Sequence, residues 1–130
     1  MRGVLIGIGL GVATIGIVAL VPERYALDLL ACVLAAIATI YTGLALADAR
    51  RSSLGVEVAV ALVFIILAAV GRWFSPLVLA AAYAAHGAWD AIHHRRGIQT
   101  RIPRWYPSLC LAYEVVVAGF IALEYGVLRH

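Results

Sequence analysis

The sequence contains no lysine, only two cysteines and one methionine, and no more than 13% charged residues, none of them gathered into a long block. So little charge cannot solvate the surface of an ordinary soluble domain. Without lysine there is no Gly-Lys-Ser/Thr to complete a phosphate-binding loop around the glycines near the N-terminus. No basic stripe runs along a helical face and no RNA-binding motif occurs, so the net charge of +3 does not point to nucleic acid. Low-complexity tracts and a separable soluble domain are also missing.

What is there is apolar. Of the 130 residues 65% are hydrophobic, and the mean hydropathy is +1.00. This describes an all-α integral membrane protein, one domain over residues 1–130, because the chain is too short for two membrane domains. The use of arginine at all ten basic positions, with Ala, Val, Leu, Ile and Gly dominant, suggests a GC-rich bacterial or archaeal genome.

Five apolar segments, about 3–21, 25–49, 54–71, 76–96 and 107–128, are each long enough to cross roughly 30 Å of hydrocarbon. The first follows Arg2 as a signal peptide would, but it is longer than the apolar region of such a peptide and no convincing cleavage site precedes Pro22, so it reads as a retained helix. Gly3, Gly7 and Gly11 recur every four residues, with Gly9, Ala13 and Gly16 as further small positions. They offer a face for close helix packing, within the chain or between copies in a homo-oligomer.

Pro22 ends the first segment. In the second, Tyr41 and Asp48 are seven residues apart on one face, and Asp48 precedes Arg50-Arg51. Ser53 is placed to cap the third, with Glu57 in its dipole-favoured first turn. Gly71-Arg72-Trp73-Phe74-Ser75-Pro76 then reads as a tight connection with interfacial aromatics. Gly97 closes the fourth segment, Ile98 to Tyr106 lies along the membrane surface, and Pro107 opens the fifth, with Glu114 about two turns inside.

Five spans put the chain ends on opposite sides. Arg2, Arg50, Arg51, Arg95, Arg96, Arg101 and Arg104 fall on one side, against Arg24, Arg72 and Arg129 on the other. Arginine excess marks the cytoplasmic face, so the N-terminus is expected inside and the C-terminus outside, in a multi-pass protein of the cell (inner) membrane. Cys32 and Cys110 then lie in opposite halves of the bundle, too far apart to bridge.

Chemistry concentrates in His86-Gly87-Ala88-Trp89-Asp90-Ala91-Ile92-His93-His94, which holds three of the four histidines. At about 3.6 residues per turn His86, Asp90, His93 and His94 project from one helical face. Measured at about 1.5 Å per residue from the inner helix ends, Asp48 and Glu57 lie roughly 3–6 Å deep and His86, Asp90 and Glu114 roughly 7–13 Å deep. These groups share one leaflet and could converge. A histidine and carboxylate set on facing helices is what Zn, Fe or Mn sites use, for one ion or two. The candidate ligands are therefore His86, Asp90, His93, His94 and Glu114, with Tyr41, Asp48 or Glu57 as proton carrier. Two alternatives stand beside this. His93 and His94 with Arg95 and Arg96 could simply decorate a helix end, where cations are favoured, and the deeper groups could form a metal-free hydrogen-bond network. Haem on His86 is a lesser alternative.

The stretch from His86 to His94, together with an acidic residue in the following helix, resembles the pattern of a family of small, uncharacterised bacterial membrane proteins. In residue chemistry its His-His pair is also similar to a histidine box of membrane di-iron hydroxylases and desaturases, which repeat such boxes, whereas this chain has one cluster and only His130 elsewhere. The expected function is a membrane-embedded metal-dependent hydrolase or oxidoreductase acting on a lipid or other apolar substrate. A small metal-ion or proton transporter, or a structural subunit of a larger membrane complex, would use the same composition. The topology is checked by cysteine labelling in sealed vesicles: positions within 98–106 should react only from the cytoplasmic side and positions 72–75 only from the opposite side, and the reverse pattern would overturn it.

Overall fold

A computed structural model describes residues 1–48, 52–94 and 102–128, and for His94 the backbone alone. Arg50, Arg51, Arg95, Arg96, Gly97, Arg101, Arg129 and His130 lie outside the described residues. The described residues form five helices and no strand: α1 (Arg2–Ala19), α2 (Glu23–Ala47), α3 (Leu54–Phe74), α4 (Pro76–His94) and α5 (Tyr106–Leu123), the last continuing into a wider π-helical turn at Glu124–Leu128. Four of them, α1, α2, α3 and α5 with its π-helical end, are long and apolar enough to cross a membrane. By length and composition this is a membrane protein. The residue that makes α4 the exception is not a proline or a glycine; its polar face of His86, Asp90 and His93 lowers its hydropathy.

The boundaries follow local chemistry. Pro22, with φ −55° and ψ 145°, cannot continue α1 and starts α2. Asp48 adopts an extended backbone and ends α2. Ser53 precedes α3 as expected, but its side chain makes no capping bond; its carbonyl accepts from the Glu57 N–H at 3.0 Å. The end expected for the third segment near Gly71 is corrected: α3 runs on to Phe74, and Ser75 alone separates it from α4. The glycine serves packing there. A Cβ at Gly71 would lie 2.7 Å from the Leu79 nitrogen and 2.8 Å from its Cα, so its absence lets α4 fold back directly on α3.

Each of α2, α3 and α4 packs antiparallel against the next helix, and α1 lies parallel to α5. The glycine face of α1 serves this last contact. Cβ atoms at Gly3 and Gly7 would sit 2.5 and 2.2 Å from the carbonyl oxygens of Trp105 and Leu109, and one at Gly11 would sit 2.8 Å from Val116. Gly9 and Gly16, by contrast, have nothing within 4 Å and point away. Thr14 Oγ1 and the Tyr113 hydroxyl, 3.2 Å apart, tie the same two helices together.

The interior is divided along its length. In the half nearer the α3–α4 turn, Leu30, Leu34, Leu79, Tyr83, Val117 and Ile121 form a fully buried apolar core. The Tyr83 hydroxyl donates to the Leu30 carbonyl at 2.7 Å, and Arg72 pairs with Asp28 at the rim of α3 and α2. In the other half, Glu57, His86, Asp90, His93 and Glu114 are all buried. The outward faces of α1 and α3 are apolar, with Leu5, Ile6, Val12, Leu62, Val63 and Ile66 exposed.

The glycine contact makes a direct test. Gly7→Val should lower stability by about 1–3 kcal/mol, the cost of overpacking a close contact, and Gly9→Val should change it little. Unfolding of the two purified variants in graded SDS measures this, and equal losses would contradict the packing of α1 on α5.

Candidate functional site

Four helices build the polar half. α2 contributes Tyr41, α3 contributes Glu57, α4 contributes His86, Asp90 and His93, and α5 contributes Glu114. The i, i+4 spacing of His86 and Asp90 puts both on the inward face of α4, where Nδ1 of His86 is 3.9 Å from Oδ2 of Asp90. The same nitrogen is 2.7 Å from Oε1 of Glu114 across the α4–α5 contact. Each of His86, Asp90 and Glu114 offers one ligand atom such that all three atoms lie within 4.8 Å of one another. These three sequence candidates are thus brought together.

Gly87 lies at that approach, a position the sequence alone did not single out. A Cβ there would lie 3.3 Å from Leu111 Cδ1, a slightly tight contact, and 3.4 Å from Oε2 of Glu114, an ordinary one. A glycine inside a helix costs about 0.5–1 kcal/mol relative to alanine, so its position immediately after His86 was itself a signal of close backbone approach.

His93 is placed apart from this trio. Its Nδ1 faces the Trp89 carbonyl oxygen at 3.1 Å and its Nε2 faces Oε1 of Glu57 at 2.8 Å. The carbonyl can only accept, so Nδ1 carries a hydrogen, and the second hydrogen bond needs one more proton, held on the ring or on Glu57. Glu57 and His93 therefore form a proton-sharing pair between α3 and α4. Tyr41 links the pair to the trio: its ring stacks on His93 with centroids 4.0 Å apart and planes 5° from parallel, and its hydroxyl donates to Oδ1 of Asp90 at 2.6 Å. Asp48 sits seven residues further along α2 at its end, half-buried, and is not one of the converging groups. The His94 side chain lies outside the described residues. Cys110 is buried and Cys32 exposed, both as free thiols.

Three polar atoms of the trio stand out. Nε2 of His86, Oδ2 of Asp90 and Oε2 of Glu114 are buried and have no hydrogen-bond partner among the described residues. Aromatic rings close the flank: Phe64 meets His86 edge-on at 4.7 Å, and Trp89 meets His93 edge-on at 5.1 Å.

Residues 2–126 match a family of unknown function, DUF6010. The chain belongs to that family. A search of curated proteins gave no match, and a search of solved structures gave none.

The Tyr41 bond is open to direct measurement. Tyr41→Phe should cost about 1 kcal/mol of stability, the usual scale of a hydrogen bond between membrane helices. Tyr25→Phe should cost nothing measurable, because the Tyr25 hydroxyl meets only an exposed Arg24. Equal stability of Tyr41→Phe and the parent in SDS unfolding would show that the Asp90 contact contributes nothing.

Proposed function

We propose that this protein is a multi-pass membrane metalloprotein that holds a divalent transition-metal ion, Zn, Fe or Mn, on His86, Asp90 and Glu114, and acts with it on a lipid or other apolar substrate. The observation that carries the reading is the meeting of His86, Asp90 and Glu114 in a buried site, with a ligand atom of each within 4.8 Å of the others. Each buried polar atom left without a partner costs about 1–3 kcal/mol, and a membrane interior offers no water to relieve it. Without an ion, two carboxylates buried side by side must take up and share protons to lower that cost. A cation held among the three residues compensates both carboxylates at once.

The donor set is suited to that role. One imidazole nitrogen and two carboxylate oxygens are ordinary ligands for Zn, Fe or Mn, and three protein ligands leave a position for water or substrate. When bound, such an ion supplies Lewis acidity and lowers the proton affinity of coordinated water. Tyr41, on Asp90, and the Glu57–His93 pair stacked against it are positioned to carry protons to and from that centre. Conduction of ions is the weaker reading, because the opposite half of the bundle is filled by Leu30, Leu34, Leu79, Val117 and Ile121 with no buried carboxylate between them. The reading takes α4 as a fifth span between α3 and α5, with the site in the cytoplasmic leaflet.

Elemental analysis of detergent-purified protein tests it. About one equivalent of metal is expected in the parent, with loss in His86→Ala and Asp90→Asn and a marked reduction in Glu114→Gln, each checked for retained folding by circular dichroism. A parent that stays metal-free after incubation with Zn, Fe and Mn would overturn the proposal. Full metal content in Glu114→Gln with loss in Asp90→Asn would confine the ligands to α4 and contradict a site shared between helices.

A further inference from the structure

His93 shares the inward face of α4 with His86 and Asp90, yet both nitrogens of its ring are engaged elsewhere. Nδ1 donates to the Trp89 carbonyl at 3.1 Å, and Nε2 meets Oε1 of Glu57 at 2.8 Å. Neither nitrogen is left for an ion, and the two bonds together fix the plane of the ring. Tyr41 lies flat on that plane, with centroids 4.0 Å apart and planes 5° from parallel, and Tyr106 meets Tyr41 edge-on at 6.1 Å. A phenol O–H lies in the plane of its own ring, because the oxygen is conjugated with it. Holding the plane of Tyr41 therefore holds the direction in which its hydroxyl donates, and it donates to Oδ1 of Asp90 at 2.6 Å. With Oδ1 taken, Oδ2 is the oxygen presented to an ion, 3.9 Å from Nδ1 of His86.

The line from Glu57 through His93 and Tyr41 to Asp90 starts on α3, passes through α4 and α2, and returns to α4. Its middle link is a stack and not a hydrogen bond, so what passes through it is orientation. An aspartate carboxylate on its own has two equivalent oxygens and turns easily about its last bond, and a donor fixed on one oxygen removes that freedom. Resting on the metal-site reading, we infer that Glu57 and His93 are positioning residues that act through Tyr41 to hold Oδ2 of Asp90 toward the ion, and so set the affinity of the site. The role is separate from any proton these groups carry, since it needs the ring planes and no transfer. Groups that orient a metal's ligands in this way account for about 10–100-fold in affinity. A set of contacts that only bolted α2, α3 and α4 together would leave the affinity of the folded protein unchanged.

The probe is Co(II), a coloured substitute for Zn, titrated into detergent-purified, metal-stripped protein against a competing chelator, with the visible bands of the bound ion reporting its coordination geometry. Tyr41→Phe, which loses only the hydroxyl, should weaken binding about 10–100-fold and alter the bands, with the stoichiometry at saturation unchanged. His93→Leu should weaken it by a similar factor, and His93→Phe, which returns a flat ring for Tyr41 to stack on, should recover part of the loss. Because His93 acts through Tyr41, His93→Leu added to Tyr41→Phe should cost no further affinity, and comparison of the double variant with the two single ones isolates that coupling. Parental affinity and bands in Tyr41→Phe would overturn the inference. So would losses that simply add in the double variant, since His93 would then act on the ion by itself. If His93→Leu does not fold, the isosteric Tyr41→Phe alone decides. Failure of the metal reading looks different: a parent that takes up no Co(II), Zn, Fe or Mn sinks that reading and this inference together, whereas a metal-binding parent matched by Tyr41→Phe sinks this inference alone.

Discussion

Apolar side chains gain little by leaving hydrocarbon for one another, so helices in a bilayer associate where their backbones can approach closely and polar groups can meet. Close approach at glycine is the constraint from which the rest of this structure follows. Gly3, Gly7 and Gly11 seat α1 on α5, Gly71 lets α4 turn back on α3, and Gly87 brings α5 against α4 at the level of His86. The last of these matters most for chemistry. There the α4 backbone at Gly87 lies against the Leu111 and Glu114 side chains, on the side of the interface where Glu114 meets His86.

Once the helices are so close, the two halves of the interior take different roles. The half around Leu30, Leu79, Val117 and Ile121 is a filled apolar core to which all five helices contribute. The half around His86 spends its interior on ionisable groups, which are costly in a low-dielectric setting unless each is met. Most are met: Tyr41 by Asp90, His93 by Glu57 and by the Trp89 carbonyl, and His86 by Glu114. Within this half His86, Asp90 and Glu114 come together, a ligand atom of each lying within 4.8 Å of the others. The aromatic flank of Phe64 and Trp89 then separates that trio from the lipid side by little more than one ring.

The amino-acid sequence determined the membrane character, the number of helices and the residue set that deserved attention. Long apolar segments allow only helices in hydrocarbon, and Pro22, Ser53 and Pro107 mark helix starts through local backbone chemistry that needs no tertiary partner. The i, i+4 relation of His86 and Asp90 was likewise legible, because helical periodicity alone puts them on one face. Tertiary structure decided the rest. Glu57 and His93 are 36 residues apart and His86 and Glu114 are 28 apart, so no period along the chain could pair them. Nor could spacing separate His93 from the trio, since His86, Asp90 and His93 share a face and only the neighbour across each interface assigns their partners. Gly71 read as a helix end and proved to be a packing position, because a missing Cβ looks the same in sequence whether it frees a turn or admits another backbone. Which it does depends on what lies within a few ångströms, and that distance is set by the packing of whole helices.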